Sequence, residues 1–460
     1  MGAISMSTDM RGIHQESLFS KQIMMSVVVP EQSRYRVLAN ALPWPELASV
    51  ANAERAKHVD LYNGRPLNLR VHLGAYTAQT MNGWTDRETE EMVKYHAGVR
   101  ILCGLEESSD SVDRTSVETF RNMLGKEGGE ILNRVIVQNA AGAGFTGSEL
   151  CASDTTVQES PIAYPTEVGH MKNISEKLLG IGKKLKKEVS SKLASLQKKA
   201  HDLVTKYRLF TRGKAEEVLK KKKQLSQQLH NTVKAMANLA AKNLDGLNAT
   251  AQAKLQEQIA FFKHMLKQIA PWLKTGFHPK NKILSLWETT ARSISKGKVG
   301  KSCEFGRRWI ITRLLGGYII GTPCQRLGAD ADTSIADEVV INFLDTFGEI
   351  PQALVYDRGA DSPKNEKFLD AVGVEEVCIF KKGNEKMNVS KAVLEMARKE
   401  RSLNESSIAN IKHPKYNFTK PRARSSESCV LKGHTAILGF NMNNLFRDIS
   451  QAWGMKLEIT

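Results

Sequence analysis

Three acidic residues of this 460-residue chain stand at positions where a carboxylate invites chemistry. Asp154 lies in an alternating run, with Leu150, Ala152, Asp154 and Thr156 on one face and Cys151, Ser153, Thr155 and Val157 on the other. A carboxylate on a strand is expensive to bury without a metal or a cationic partner. Asp357 closes the apolar run 353–356 just before Arg358-Gly359 turns the chain, and open α/β sheets build their sites at such strand ends. Glu405 sits in a long helical pattern with Arg401 four residues before it and Lys412 seven after it, which puts all three on one helix face. Carboxylates are hard oxygen ligands for Mg²⁺ or Mn²⁺, and two such ions about 4 Å apart activate an oxygen nucleophile and neutralise charge on a phosphate. The chemistry that suits these residues is phosphodiester cleavage.

Plainer readings stand beside that one. An Asp-x-Gly sequence such as 357–359 often does no more than cap a turn. Arg401 and Glu405 are spaced for an ordinary surface ion pair. Asp330 and Asp332 compete as ligands, although Asp332-Thr333-Ser334 is a natural helix start.

The elements that must position the three carboxylates follow from periodicity. Residues 1–65 carry no usable motif, and 66–147 read as short helices. Thr85 caps one that carries Met92, Val93, Ala97 and Ile101; a second starts near Asp113 with Val117, Phe120 and Met123, leaving Arg114 and Arg121 to solvent. Short helices ending in arginines suit a helix-turn-helix-like DNA contact, with a plain helical bundle as the alternative. Residues 148–170 hold the strand with Asp154, ended by Pro161 and Pro165. From 171 to 299 the pattern is helical again, with Leu185, Val189, Leu193, Leu196, Ala200, Leu203, Tyr207 and Phe210 spaced like a coiled-coil seam. Breaks near Arg212-Gly213 and Asp245-Gly246 predict three helices before Pro271 interrupts the pattern.

After residue 300 the character becomes α/β. Strands are expected at 304–313 and 317–321, at 353–357 and at 377–380; helices at 332–347, 363–372, 390–411 and 433–449. Without the insertion, three leading strands are followed by alternating helices and strands, the connectivity of a ribonuclease-H-like fold. The first and fourth strands of that fold lie parallel and adjacent, which would make Asp154 and Asp357 neighbours. The expected architecture is an α/β ribonuclease-H-like catalytic core (148–170 and 300–460), an N-terminal all-helical domain (66–147) and a long basic helical, coiled-coil-like insertion (171–299).

Charge points to the partner. The net charge is +17, yet residues 171–298 alone hold 28 Lys or Arg against 8 Asp or Glu. That excess of +20 leaves the rest of the chain close to neutral, so the basicity is local. Concentrated positive charge attracts polyanions through counterion release, nucleic acid foremost; lysine runs at 183–187 and at Lys220, Lys221, Lys222 and Lys223 are expected on the outer surfaces, with a solvated coiled coil as the bland account. Six scattered cysteines without a Cys-x-x-Cys pair read as buried thiols of a reducing compartment. No apolar run approaches the length of a membrane span and no basic-then-apolar leader opens the chain, so a cytoplasmic location away from the membrane is expected.

The order of these pieces resembles the DDE transposases of bacterial insertion sequences, in the class whose third carboxylate sits in a Tyr-x2-Arg-x3-Glu-x6-Lys signature. Arg401, Glu405 and Lys412 occupy its last three positions, while Arg398 replaces the tyrosine. Asp154-Thr155-Thr156-Val157-Gln158 with Tyr164-Pro165-Thr166 looks like the first-aspartate segment. Cys303-Glu304-Phe305-Gly306 is similar to the second-strand motif, and Tyr356-Asp357-Arg358-Gly359 with Asn365 to the second-aspartate segment. Residues 433–445, ending Asn443-Asn444-Leu445, look like the closing helix, and 86–125 resemble the helical DNA-binding domain that precedes such cores. The matches span roughly residues 70–450.

That resemblance implies a metal-binding triad of Asp154, Asp357 and Glu405 holding two Mg²⁺ or Mn²⁺, with Arg401 and Lys412 on phosphates. It implies cutting of double-stranded DNA at terminal inverted repeats and joining of the freed 3′-hydroxyl to target DNA. The chain would then work on the bacterial nucleoid as a homo-oligomer, a dimer in the synapse, its basic insertion holding DNA or pairing subunits. A ribonuclease-H-like nuclease without strand transfer and a silent DNA-binding remnant are the rival readings.

Overall fold

The computed structural model describes residues 29–59, 67–106, 110–210, 215–279, 282–298, 301–325, 335–381 and 389–454. The chain divides into two units, one formed by Met1–Ser160 with Arg307–Thr460 and the other by Pro161–Gly306.

The first unit opens with helices α1 (Arg34–Ala41), α2 (Trp44–Ala56), α3 (Leu69–Asn82), α4 (Asp86–Tyr95), α5 (Ala97–Leu102) and α6 (Arg114–Gly142). Local chemistry sets their starts. Thr85 and Glu88 form a reciprocal capping box on α4, and the Asp113 side chain accepts from the Ser116 amide at the head of α6. α6 is longer than the short helices expected from the sequence and bends at Gly125, whose φ of 59° lies in the left-handed region. Helix α3 is buried on every side from Leu73 to Met81, the signature of a central helix.

Strand β1 (Leu150–Glu159) follows, and the chain then enters the second unit. There α7 (Glu167–Gly182), α8 (Lys187–Leu209), α9 (Glu216–Ala241) and α10 (Ala249–Thr275) pack into one bundle whose apolar core runs from Val168 to Leu273. The sequence predicted three helices; among the described residues there are four. The extra break falls at 183–186, where Lys183, Lys184 and Lys186 surround Leu185, and Leu185 still packs against the bundle core. The expected break at Arg212-Gly213 lies outside the described residues. Pro271 does not stop α10, which runs one further turn to Thr275: proline removes its own amide donor and crowds the preceding turn, while the residues after it keep their amides. The unit also holds β2 (Arg292–Lys298), a strand that the helical reading of the insertion missed.

Strand β3 (Lys301–Leu314) pairs antiparallel with β2 through its first residues and with β4 (Ile319–Pro323) through its last, Trp309 opposite Pro323 and Arg313 opposite Ile319. The remaining elements are α11 (Ala336–Phe347), β5 (Ala353–Tyr356), α12 (Pro363–Val372), β6 (Glu376–Ile379), α13 (Lys391–Ile411) and α14 (Ser426–Ala452). Asp330 and Asp332, the competing ligands and the expected cap of the helix ending at Phe347, lie outside the described residues. The closing helix starts at Ser426, not near Gly433, because Ser425 caps it.

In the sheet, β3, β1, β5 and β6 are successive neighbours. β1 runs parallel to β5, with Leu150 opposite Ala353 and Ser153 opposite Tyr356; β5 runs parallel to β6. β1 is buried on both faces, not on alternate residues as its sequence pattern suggested, because central parallel strands are covered on both sides. Its interior residues of intermediate exposure are Asp154 and Thr155.

Helix α14 joins the parts of this unit. Asn441 is fully buried and donates to the Asn133 side chain on α6 (2.8 Å) and to the Ile319 carbonyl on β4 (2.7 Å), while the Ile319 amide donates back to Asn441 Oδ1 (2.9 Å). Close approach makes this possible. A Cβ on Gly439 would lie 2.2 Å from the Thr80 carbonyl oxygen of α3. Trp309 of β3 fills the space beside Gly433 and donates through Nε1 to Gln158 of β1 (3.0 Å), and Gln158 in turn donates to the Cys429 carbonyl (2.8 Å). Replacing Asn441 with Leu strands buried groups on two elements at once, and an unsatisfied buried group costs about 1–3 kcal/mol. Asn441→Leu is therefore expected to lower the stability of this unit by about 2–4 kcal/mol, read as a fall in the urea midpoint followed by tryptophan fluorescence. The exposed Asn410→Leu is the control, and equal midpoints for the two variants would refute the assignment.

Candidate active site

The sheet register decides where the two aspartates lie. Ser153 faces Tyr356 in the parallel β1–β5 ladder, so Asp154, the next residue of β1, and Asp357, the first residue past β5, follow one pair of facing residues on adjacent strands. Each side chain accepts a hydrogen bond from the amide that follows it, Asp154 Oδ1 from Thr155 and Asp357 Oδ1 from Arg358, both at 2.7 Å. Asp357 thus caps a single turn at 358–360, as the plain reading allowed. That cap does not remove it from the site, because its carboxylate is also gripped from α13.

Helix α13 presses one stripe into the unit: Ala397, Glu400, Asn404, Ser407 and Ile411 are all buried. Ala397 packs with Leu150, Ala152, Ala353 and Val355 on one face of β1 and β5. Glu400 is ion-paired to Arg313 of β3, both side chains being 10% exposed, and Asn404 Nδ2 donates to the Ile311 carbonyl at 3.4 Å. Arg401 and Glu405 come one residue after the buried Glu400 and Asn404, which turns them about 100° from the buried stripe. Arg401 Nη2 then stands 3.3 Å from Asp357 Oδ1 and 3.1 Å from Glu405 Oε1. One guanidinium therefore joins the second and third carboxylates of the predicted triad. It also lies over the Phe380 ring, 5.3 Å from the centroid, and its Nε is buried without a hydrogen-bond partner.

The turn behind Asp357 is fixed by Asn365, which is 2% exposed and donates to the Ala360 carbonyl at 2.8 Å. Lys381 pairs with Asp361 at 3.4 Å and with Glu366, and Glu366 chiefly holds the ammonium above its usual pKa. These partners, like Arg313 and Glu400, escaped the sequence reading because each pair is remote in the chain and no spacing rule links its members. Lys412 is the C-cap residue of α13 and is partly buried; Arg398, in the place of the signature tyrosine, is exposed.

Among the described residues no three His, Cys, Asp or Glu side chains converge closely enough to hold a metal ion. The donor chemistry nevertheless suits a divalent cation: three hard oxygen ligands, two of them already gathered around one positive charge. The carboxylates fit such an ion in type, while Arg401 occupies the space between two of them.

The predicted DNA contacts fare differently from one another. Arg114 is exposed at the head of α6. Arg121 corrects the expectation of a solvent-facing arginine: it is 8% exposed and forks onto Asp86 of α4, with Nη2 3.0 Å from Oδ2 and Nη1 on Oδ1. Burial pushes the Asp86 carboxyl up, but Arg121 outweighs it and holds the group below the usual carboxylate range. The helical period that placed Arg121 outside could not show that α4 covers it. In the second unit, Lys220 lies 3.0 Å from Glu216, Lys221 is exposed, Lys222 is partly buried, and Lys223 donates to the Lys274 carbonyl at 3.3 Å.

Among the described residues no helix is long and apolar enough to cross a membrane. No curated protein and no solved structure matches the chain. Residues 24–123, which include α1 to α5 and the start of α6, match the family model described as "Transposase domain (DUF772)". The match spans 100 of the 460 residues and supports a relation to a transposase family over these N-terminal helices.

Proposed function

We propose that the chain is a DNA transposase of the three-carboxylate class, with a ribonuclease-H-like core formed by β1, β3 to β6 and the helices that cover them. The observation that carries this reading is the meeting of three remote segments: Asp154 and Asp357 abreast on parallel strands, and Glu405 tied to Asp357 through Arg401. The strand order β4, β3, β1, β5, β6 supports it, since it sets the first and fourth core strands side by side. So does the transposase match, which falls in the helices ahead of this sheet.

In this reading Asp154, Asp357 and Glu405 hold two Mg²⁺ or Mn²⁺. Bound there, the ions supply an activated nucleophile and charge neutralisation at the phosphate. The protein's own groups orient. β1 and β5 fix the aspartates through backbone pairing, and Asn404 and the Arg313–Glu400 pair hold α13 so that Arg401 ties Glu405 to Asp357. Arg401 and Lys412 grip phosphates of the bound strand; Arg401 gives it no proton, since a guanidinium stays charged at any physiological pH. The substrate is double-stranded DNA at the element's inverted repeats. Water cleaves the strand there, and the released 3′-hydroxyl attacks a target phosphodiester, so one P–O bond breaks as another forms. Two subunits of the chain hold the two ends.

Wild-type protein with Mg²⁺ is expected to cut DNA that carries the flanking repeats and to join the ends to a target, whereas Asp154→Ala, Asp357→Ala and Glu405→Ala do neither. Asp357→Asn keeps DNA affinity or raises it, because it removes a negative charge beside the phosphates. Gel analysis of the products decides: cutting by a pure Asp357→Asn preparation removes the residue from the site, and wild-type cutting without joined products leaves a nuclease. The basic unit provides a separate expectation. Changing Lys220, Lys221, Lys222 and Lys223 to Gln should flatten the dependence of log K on log salt by about 0.9 for each phosphate that is no longer neutralised; an identical slope would show that this run does not touch DNA.

A further inference from the structure

The second unit contains a cleft that the triad does not use. It has a volume of about 590 Å³, within the range of roughly 300–1,000 Å³ typical of small-ligand sites. Two exposed aromatic rings stand at it, Tyr164 at 76% exposure and Trp287 at 36%, beside the buried Phe262. Neither hangs on a loose chain. Tyr164 meets Phe305 edge to face, with centroids 5.4 Å apart. Trp287 is carried on a turn in which Ser285 Oγ accepts from the Trp287 and Glu288 amides at 3.3 and 3.2 Å. Lys172, Lys177 and Arg208 also line it, as does Glu176, 3.3 Å from Lys172.

His170 of α7 supplies the polar group of this cleft. It lines the wall, is 5% exposed, and its Nε2 has no hydrogen-bond partner. Burial, assisted by Lys282, lowers its pKa to about 4, so the ring is neutral at neutral pH and offers one donor and one acceptor. A buried ring nitrogen without a partner is unfavourable until something bonds to it.

Exposed aromatic rings, cations and a buried neutral imidazole together define a ligand: a flat heterocycle with polar edges attached to a phosphate. An apolar ligand would leave the imidazole nitrogen without a partner, and a bare anion would leave the rings exposed. We infer that this cleft binds an unpaired nucleotide of single-stranded DNA, its base against Tyr164 and Trp287, its edge toward His170 and its phosphate on Lys172, Lys177 and Arg208. Base stacking on aromatic side chains within a basic groove is how single strands are held without sequence preference. The excess of positive charge over residues 171–298 favours a polymer over a free nucleotide. The inference rests on this unit alone and survives if the triad fails.

The test uses the full chain and a labelled short oligothymidylate, followed by fluorescence anisotropy, with a blunt duplex of similar length in parallel. Trp287→Ala and Tyr164→Ala should each weaken single-strand binding about tenfold, the usual effect of removing one base stack, with duplex affinity unchanged and far-UV circular dichroism intact. Both rings are exposed, so their removal spares the core. Lys172→Gln with Lys177→Gln should reduce the salt slope for the single strand, and thymidine monophosphate should displace the oligonucleotide only at concentrations far above that of the oligonucleotide. Single-strand affinity untouched by either aromatic change overturns the proposal. Displacement by the monophosphate at concentrations like those of the oligonucleotide would instead assign the cleft to free nucleotides and refute the DNA assignment.

Discussion

A fully buried amide holds the first unit together. Asn441 has both ends of its side chain committed, its oxygen to the Ile319 amide and its nitrogen to the Ile319 carbonyl and to Asn133. A buried polar group is tolerable only when its partners are in place, so this contact fixes helix α14 against β4 and against α6 in one register. Gly439 against α3 and Gly433 against Trp309 admit the helix at close range. The chain thereby ties its N-terminal helices to the sheet, and the transposase match lies in a segment that is structurally continuous with the candidate active site.

At that site the decisive force is charge compensation. Asp357 and Glu405 come from a strand end and from a helix, and without a cation between them their proximity would be repulsive. Arg401 provides that cation from within the same helix turn as Glu405. The guanidinium pairs with both carboxylates and lies over Phe380, while one of its nitrogens stays unpaired. An arginine so placed neutralises both carboxylates; in the proposed function it would also grip a phosphate of bound DNA. The buried Glu400–Arg313 pair works at a different level: it orients the helix that carries Arg401, and removing one partner would leave an uncompensated charge inside the unit.

The second unit answers a different physical demand. Its apolar core closes a four-helix bundle, which frees the outward faces of the helices to carry lysines at little structural cost. The same division explains its cleft: the rings and cations there are not required by the bundle core, and the buried imidazole nitrogen has no structural partner.

Most elements of the fold and the members of the candidate site were legible in the order of residues. The strand carrying Asp154, the helix 363–372, the Ser390 start of α13 and the four-residue step from Arg401 to Glu405 follow from periodicity, caps and spacing, which are properties of neighbouring residues. Local rules fail where a distant segment competes. Arg121 faces outward on an isolated helix and is covered by α4 in the fold; β1 alternates in sequence and is buried on both faces; the stretch 183–186 reads as a continuing seam and is a turn. Only folding in three dimensions sets Asp154 and Asp357 abreast, brings Arg401 between Asp357 and Glu405, and anchors their helix through Arg313 and Glu400. Apart from the Arg401–Glu405 pair, which its four-residue spacing announces, these pairings join residues far apart in the chain and are fixed by which groups find partners in the fold, and no spacing along a sequence encodes which partner each will find.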